Sequence, residues 1–267
     1  MNAALLRRTW RSNAFRLVII SLALAGWGSL GPIIYSQFGA LFRDLIESGM
    51  FPEALTSFGG GDVFSLPGSI ALGFIHPIAI ILLGVFAVGF STNAFAGERQ
   101  RGTLEILLAR PLSRRQAYVT NLVSVFGFLG LALAAYLVGS TISASLFAVI
   151  DEIDPSLLPL VWLNGLLMFG SFAAIALAAS VSFDRLAPAL GITLAILLVS
   201  YFFEVLGSLW PDAEFLQPYS LFHYLQTRDI LVGKADPFAF ALLGAVIVIS
   251  VVYALIVFPR RDIAAPS

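Results

Sequence analysis

The 267-residue sequence contains no cysteine, a single lysine, two histidines and three methionines. The first absence excludes disulfides, thiolate metal sites and cysteine nucleophiles. The scarcity of histidine and methionine leaves little from which to build a soft-metal site, so no metal is expected. Charge is scarce as well. Charged residues make up 12% of the chain, against about 25% in an ordinary soluble domain. Hydrophobic residues make up 59% and the mean hydropathy is +0.93. Such a chain cannot cover a globular surface with polar groups, which excludes a soluble enzyme, a disordered segment and a collagen-like chain. What remains is an integral membrane protein.

Crossing a bilayer as a helix takes about 20 mostly apolar residues. Six stretches qualify: Leu17–Gly39, Ser69–Ala96, Ala117–Ile150, Leu157–Ser182, Ala187–Trp210 and Phe238–Phe258. The third is longer than a crossing requires, so it tilts or extends past the membrane. Strands of a membrane barrel alternate apolar and polar residues, whereas "ALLGAVIVISVVYALIVF" is apolar on every side. The expected fold is therefore an all-α, six-helix membrane domain. Its order is an arm (1–16), two spans (17–96), a loop (97–116), three spans (117–210), an outer segment (211–237), a last span (238–258) and a tail (259–267).

Six crossings put both termini on one side, and arginine decides which. One side holds Arg7, Arg8, Arg11, Arg16, Arg99, Arg101, Arg110, Arg114, Arg115, Arg185, Arg260 and Arg261; the other keeps only Arg43, Arg228 and Lys234. The arginine-rich side is the cytoplasmic one by the positive-inside rule. The first apolar run continues to Ile34, too long for a cleaved signal core, and reads as a retained span. In the arm, Leu5, Leu6, Trp10, Ala14 and Phe15 fall near one stripe. This suits a helix lying in the inner headgroup region, the alternative being a basic tail that serves topology alone.

Polar residues inside spans are candidate pathway groups. Glu204 is the one acid within a span, about 25 Å along its helix from Ala187 and so near the outer interface. A relay or substrate role stands beside a structural one. His76, before Pro77, reads as a hydrogen-bonded structural histidine. Ser140, Thr141, Ser143 and Ser145 could line a cavity, although serine and threonine also bond their own helix backbone. Gly170, Ala174, Ala178 and Ser182 form a row of small residues that admits a close helix partner, in this chain or in a second copy. The outer segment 211–237 is rich in aromatics and broken by Pro211, Pro218 and Pro237. It suits short helices at the outer surface, dipping inward or not.

The loop "GERQRGTLEILLARPLSRRQ" (Gly97–Gln116) differs from its surroundings. Leu104, Leu107 and Leu108 make an apolar stripe at i, i+3, i+4, with Thr103 and Glu105 at the start and Pro111 at the end. A short helix of this kind fits a groove on a cytoplasmic partner or anchors at the interface. The run Glu98, Gly102-Thr103-Leu104-Glu105, Leu107-Leu108, Pro111, Ser113-Arg114 resembles the signature of ABC-2-type permeases, the membrane subunits of ATP-binding-cassette exporters. It is most similar to the branch containing the permease of nitrous-oxide-reductase maturation.

The resemblance implies that the loop is a coupling helix seated on an ATPase subunit, through Glu98, Arg99, Arg101, Gly102, Thr103, Leu104, Glu105, Leu107, Leu108, Pro111 and Arg114. The turn Phe183–Pro188, with Asp184 and Arg185, would be a second contact, the arm an elbow helix, and Pro211–Pro237 outer re-entrant helices. The implied assembly is two copies of this chain with two ATPase subunits in a bacterial membrane. Further implied partners are membrane lipid and an outer or periplasmic protein, with no nucleic acid. No G-x-x-x-x-G-K-[ST] occurs, so ATP and Mg would bind the partner and this chain would hold no cofactor. Neither H-E-x-x-H nor G-x-S-x-G occurs, which weighs against an intramembrane enzyme. A mechanical scaffold moved by an ATPase is the other alternative.

Overall fold

Proline, glycine and short hydroxyl residues decide where the apolar runs start and break. The computed structural model describes residues 2–48, 64–104 and 112–261, and every regular element among them is helical. Helix α1 spans Ala3–Glu47. Helices α2 (Leu66–Ile75) and α3 (Pro77–Gly84) lead into two π-helical stretches, Val85–Phe90 and Asn93–Gly97, and a final turn, Glu98–Gln100. Then come α4 (Arg114–Leu146), α5 (Leu158–Ser182), α6 (Leu186–Leu209), the short α7 (Thr227–Leu231) and α8 (Pro237–Arg260). Side chains satisfy open N–H groups at several helix starts. Ser65 accepts from Gly68, Asp236 accepts from Phe238, and Ser113 with Gln116 forms a capping box on α4.

Helices α1, α4, α5, α6 and α8 are each long and apolar enough to cross a membrane. The segment from α2 to Phe90 makes a further candidate, bent by 49° at His76–Pro77. Parity decides how to count it. The N–H of Asn2 donates to Thr120 Oγ1 at 3.1 Å, and Arg114 donates to the Phe258 carbonyl at 3.1 Å. Both described ends of the chain therefore lie at the same end of the bundle. An even number of crossings is required between those ends, so the bent segment counts as one crossing and the described residues make six.

Helices α4 and α5 are central. In their most apolar stretches 56% and 67% of residues are buried, against 11% in α8 and 22% in α1. Helix α1 lies along α4 at backbone contact: a Cβ on Gly28 would land on the Tyr136 carbonyl, and one on Gly139 on the Ala25 carbonyl. The arm is not the separate elbow that its stripe suggested. It continues the first span without a break, and Phe15 on the expected apolar stripe is 79% exposed. Thr9 and Asn13 face inward instead, in line with Ile20 and Leu24. The cause is α4, whose 33 residues reach about 50 Å. That length gives the arm a wall to pack on, with Trp10 seated over Gly127 and 4.9 Å from the Phe128 ring.

The same interface engages the serine cluster. Ser140 Oγ donates to the Gly28 carbonyl at 2.9 Å and Ser143 Oγ to that of Ser29 at 2.8 Å, both buried between α1 and α4. Thr141 donates to Leu137 in its own helix, as Ser145 does to Thr141. Ser140 and Ser143 fasten α4 to α1. The small-residue row meets neighbours within the chain. Gly170 admits the ring of Phe126 from α4, Ala174 is fully buried, and Ser182 Oγ lies 3.1 Å from Tyr253 Oη on α8. Ala178, one turn before Ser182, accepts its hydroxyl.

Candidate functional site

Four sequence-distant pieces converge at the arginine-rich end: the end of span two, the start of α4, the α5–α6 turn and the end of α8. Span two leaves the bundle through Glu98–Gln100 and turns back at Gly102, whose φ of +69° suits a residue without a Cβ. The turn closes on itself. The N–H groups of Gly102 and Thr103 donate to the carbonyls of Arg99 and Glu98 at 2.9 and 3.0 Å. The carboxylate of Glu98 accepts from Thr103 Oγ1 and, at 2.8 Å, from Arg101. Burial raises the pKa of Glu98, but these two bonds and the charges of Arg101 and Arg8 outweigh it, leaving the carboxyl below its ordinary range. Thr103 thus bonds backward to Glu98. Leu104 is buried. Glu105, Leu107, Leu108 and Pro111 lie outside the described residues.

Arg99 points inward. It is 5% exposed, donates to Asp184 at 2.6 Å and reaches the Phe183 carbonyl at 3.3 Å. Burial weakens its hold on the proton, Asp184 restores part, and Arg261 and Arg114 oppose it again. Asp184 also accepts from Arg261 at 3.0 Å, whose other nitrogen donates to the Val181 carbonyl. Gln100 accepts from the Leu186 N–H at 2.8 Å, so both turns are joined beside Arg185, the residue before α6. Arg114 donates to the carbonyls of Phe258, Pro259 and Arg261, capping α8 as a cation at a helix C-terminus. Sequence reasoning placed Arg99, Arg114 and Asp184 at a partner contact; their bonds here hold two loops and three spans together. Glu98, Arg101 and the Gly102 turn form the outward part.

One component had no signal in the sequence. The π-helical stretch releases backbone N–H groups from the regular ladder, and Ser180 on α5 collects them. Its hydroxyl accepts from Phe95 and Ala96 at 3.1 and 3.0 Å and donates to the Thr92 carbonyl at 2.7 Å. Ser180 is one serine among several in an apolar helix, and its role depends on a neighbour 84 residues away.

At the other end, the segment after α6 folds back along it. Ser220 donates to the Ser200 carbonyl at 2.8 Å, nine residues before the end of α6, so the segment descends about 13 Å. Asn164 on α5 holds it, donating to Tyr224 and accepting from Gln226. Glu204 is 7% exposed in this packing, with Oε2 3.8 Å from His223 Nδ1. Burial lowers the pKa of His223, with Glu214 opposing. His76 does cap a helix: its ring accepts from Ile78 at 3.3 Å and packs on Trp27.

Among the described residues no cluster of histidine and carboxylates could hold a metal ion. No curated protein matches the chain. Residues 35–263, from the outer part of α1 to beyond α8, match the sequence profile of the ABC-2 family transporter proteins. With its bundle of membrane-length helices and a match that covers most of its length, the chain belongs to the ABC-2 transporter family.

Proposed function

We propose that the chain is the permease subunit of an exporter driven by a separate nucleotide-binding subunit, two copies of each forming the assembly in a bacterial cytoplasmic membrane. The arginine-rich end faces the cytoplasm and the partner. ATP and Mg sit in the partner, and the cargo crosses a path lined by both copies of this chain. The observation that carries the reading is the bonding of both cytoplasmic turns into one body by Arg99, Asp184, Arg261 and Gln100. A push on the Glu98–Thr103 turn passes at once to α6 and α8 through these bonds, and to α5 through Ser180. Span two, jointed at His76–Pro77 and in its π stretches, is the element built to change shape.

The test is purification of the tagged chain from its native membrane in mild detergent, with ATPase activity assayed in the eluate. A stoichiometric ATPase is expected. Glu98→Arg reverses the charge that closes the turn, and Gly102→Pro demands a negative φ where the backbone has +69°. Both are expected to lose the ATPase or its stimulation while the chain stays membrane-inserted. A chain that purifies alone, or variants that couple normally, overturns the proposal.

A further inference from the structure

An open cavity of about 550 Å³ separates the first turns of α1 from the π-helical part of span two. Its charged lining is Arg8 and Arg16 from α1 and Glu98 and Arg101 opposite, and Val85 and Phe90 supply apolar wall. The carboxylate of Glu98 is already engaged by Arg101 and Thr103. Arg16 bonds the neutral Asn13 at 3.3 Å, and among the described residues no carboxylate pairs with Arg8 or Arg16. Arg8 feels the Glu98 carboxylate only at longer range, so the lining sets three guanidinium groups, Arg8, Arg16 and Arg101, against one carboxylate and is left with an excess of positive charge.

The layout has a direction. Arg8 and Arg16 are eight residues apart on one helix, about 12 Å along its axis, and Val85 is thirteen residues, about 20 Å, from Glu98 toward the membrane middle. Charge thus lines the mouth at the arginine-rich end, and apolar surface continues inward. A small soluble anion would satisfy the arginines and leave the apolar wall against water. An amphiphile satisfies both, and basic pockets on the cytoplasmic side of a helix bundle recognise anionic headgroups.

We propose that this cavity binds an anionic phospholipid of the arginine-side leaflet, its phosphate between Arg8 and Arg16 and the start of its acyl chains against Val85 and Phe90. The lipid then bridges the arm and the jointed span. This inference rests on the membrane placement alone and does not depend on an ATPase partner, so its failure and that of the permease proposal are separable.

The test is native mass spectrometry of the full chain in mild detergent, titrated with phosphatidylglycerol or phosphatidylcholine. Wild type is expected to retain phosphatidylglycerol preferentially. Each arginine near an anionic surface contributes roughly fivefold in affinity, so Arg8→Gln with Arg16→Gln is expected to lose retention at least about tenfold. Arg11→Gln, whose side chain is exposed and does not line this cavity, is expected to bind as wild type. Size-exclusion chromatography checks that every variant is folded. The proposal is overturned if the double variant retains phosphatidylglycerol, if Arg11→Gln loses it equally, if both lipids bind alike, or if inorganic phosphate displaces the lipid.

Discussion

Span two and α4 cross the same bundle with similar numbers of residues and opposite construction. Helix α4 is unbroken from Arg114 to Leu146 and fastened to α1 by Ser140, Ser143 and two glycine contacts. Span two is broken at Pro77, passes through two π stretches, and its glycines at 84 and 89 face open space or a 3.9 Å contact. Proline and the residue before it disfavour helix. The residues Ser91, Thr92 and Asn93 return side-chain bonds to their own backbone and compete with the ladder. One span is a strut and the other a jointed rod.

The largest effect expected from this contrast comes from glycine. Gly139→Val presses a side chain into the Ala25 backbone, which cannot yield without moving α1. The expected loss is about 3 kcal/mol or more, since overpacking against backbone lies at the upper end of that class. Gly89→Ala meets only a 3.9 Å contact and is expected to be tolerated. Thermal unfolding followed by size-exclusion chromatography compares them, and equal losses would erase the distinction between strut and rod.

Next comes the bonded junction beneath both spans. Asp184→Asn leaves the buried guanidinium of Arg99 facing a neutral group. Breaking a fully buried pair costs about 3–5 kcal/mol, but Asp184 is largely exposed and screened, so about 2 kcal/mol is expected. Adding Arg99→Gln removes the orphaned charge and is expected to recover part of the loss. A double-mutant cycle in thermal stability reads the coupling, and strict additivity would show that this ion pair does not couple the two loops. Ser180→Ala strips the acceptor from two N–H groups of the π stretch. It is expected to cost about 1–2 kcal/mol and to raise hydrogen exchange at Phe95 and Ala96 more than in α4.

Acid probes the outward turn. Glu98 is held below its ordinary pKa, so its contribution is fully present above the ordinary carboxylate range and is lost as pH falls through the lowered value. Wild type is therefore expected to lose more thermal stability than Glu98→Gln on acidification below that range.

These contrasts were unequally visible in the sequence. Regular spans were legible because an apolar run of sufficient length has one solution in a bilayer, and α5, α6 and α8 begin and end within two residues of their expected limits. The Glu98–Arg101–Gly102 turn was legible as a charged interruption. The continuity of the arm with α1 was not, because it depends on how far α4 extends alongside it. Ser140 and Ser143 had the composition of a cavity, and only the closeness of Gly28 and Gly139 shows that they fasten α4 to α1. Ser180 and Arg261 act on residues far away in the chain, where periodicity carries no information.

Glu204 is where the smallest effect is expected. It lies in α6, where the outer segment returns, buried, with Oε2 unbonded among the described residues and 3.8 Å from His223. Its neighbours are otherwise packing contacts. Gly207 admits Gln217, whose amide donates to Ser208, and the Ser208 hydroxyl in turn donates to the Glu204 carbonyl. Glutamine has the same shape and keeps one carbonyl oxygen, so a positioning role survives Glu204→Gln while a role that requires the charge does not. Partner-stimulated ATPase and thermal stability are expected to change by less than about 0.5 kcal/mol equivalent, the range of substitutions that remove no essential contact. Complete inactivation, reproduced by His223→Ala, would reverse the contrast: the outer end would then hold the working charge, and the jointed span would serve it.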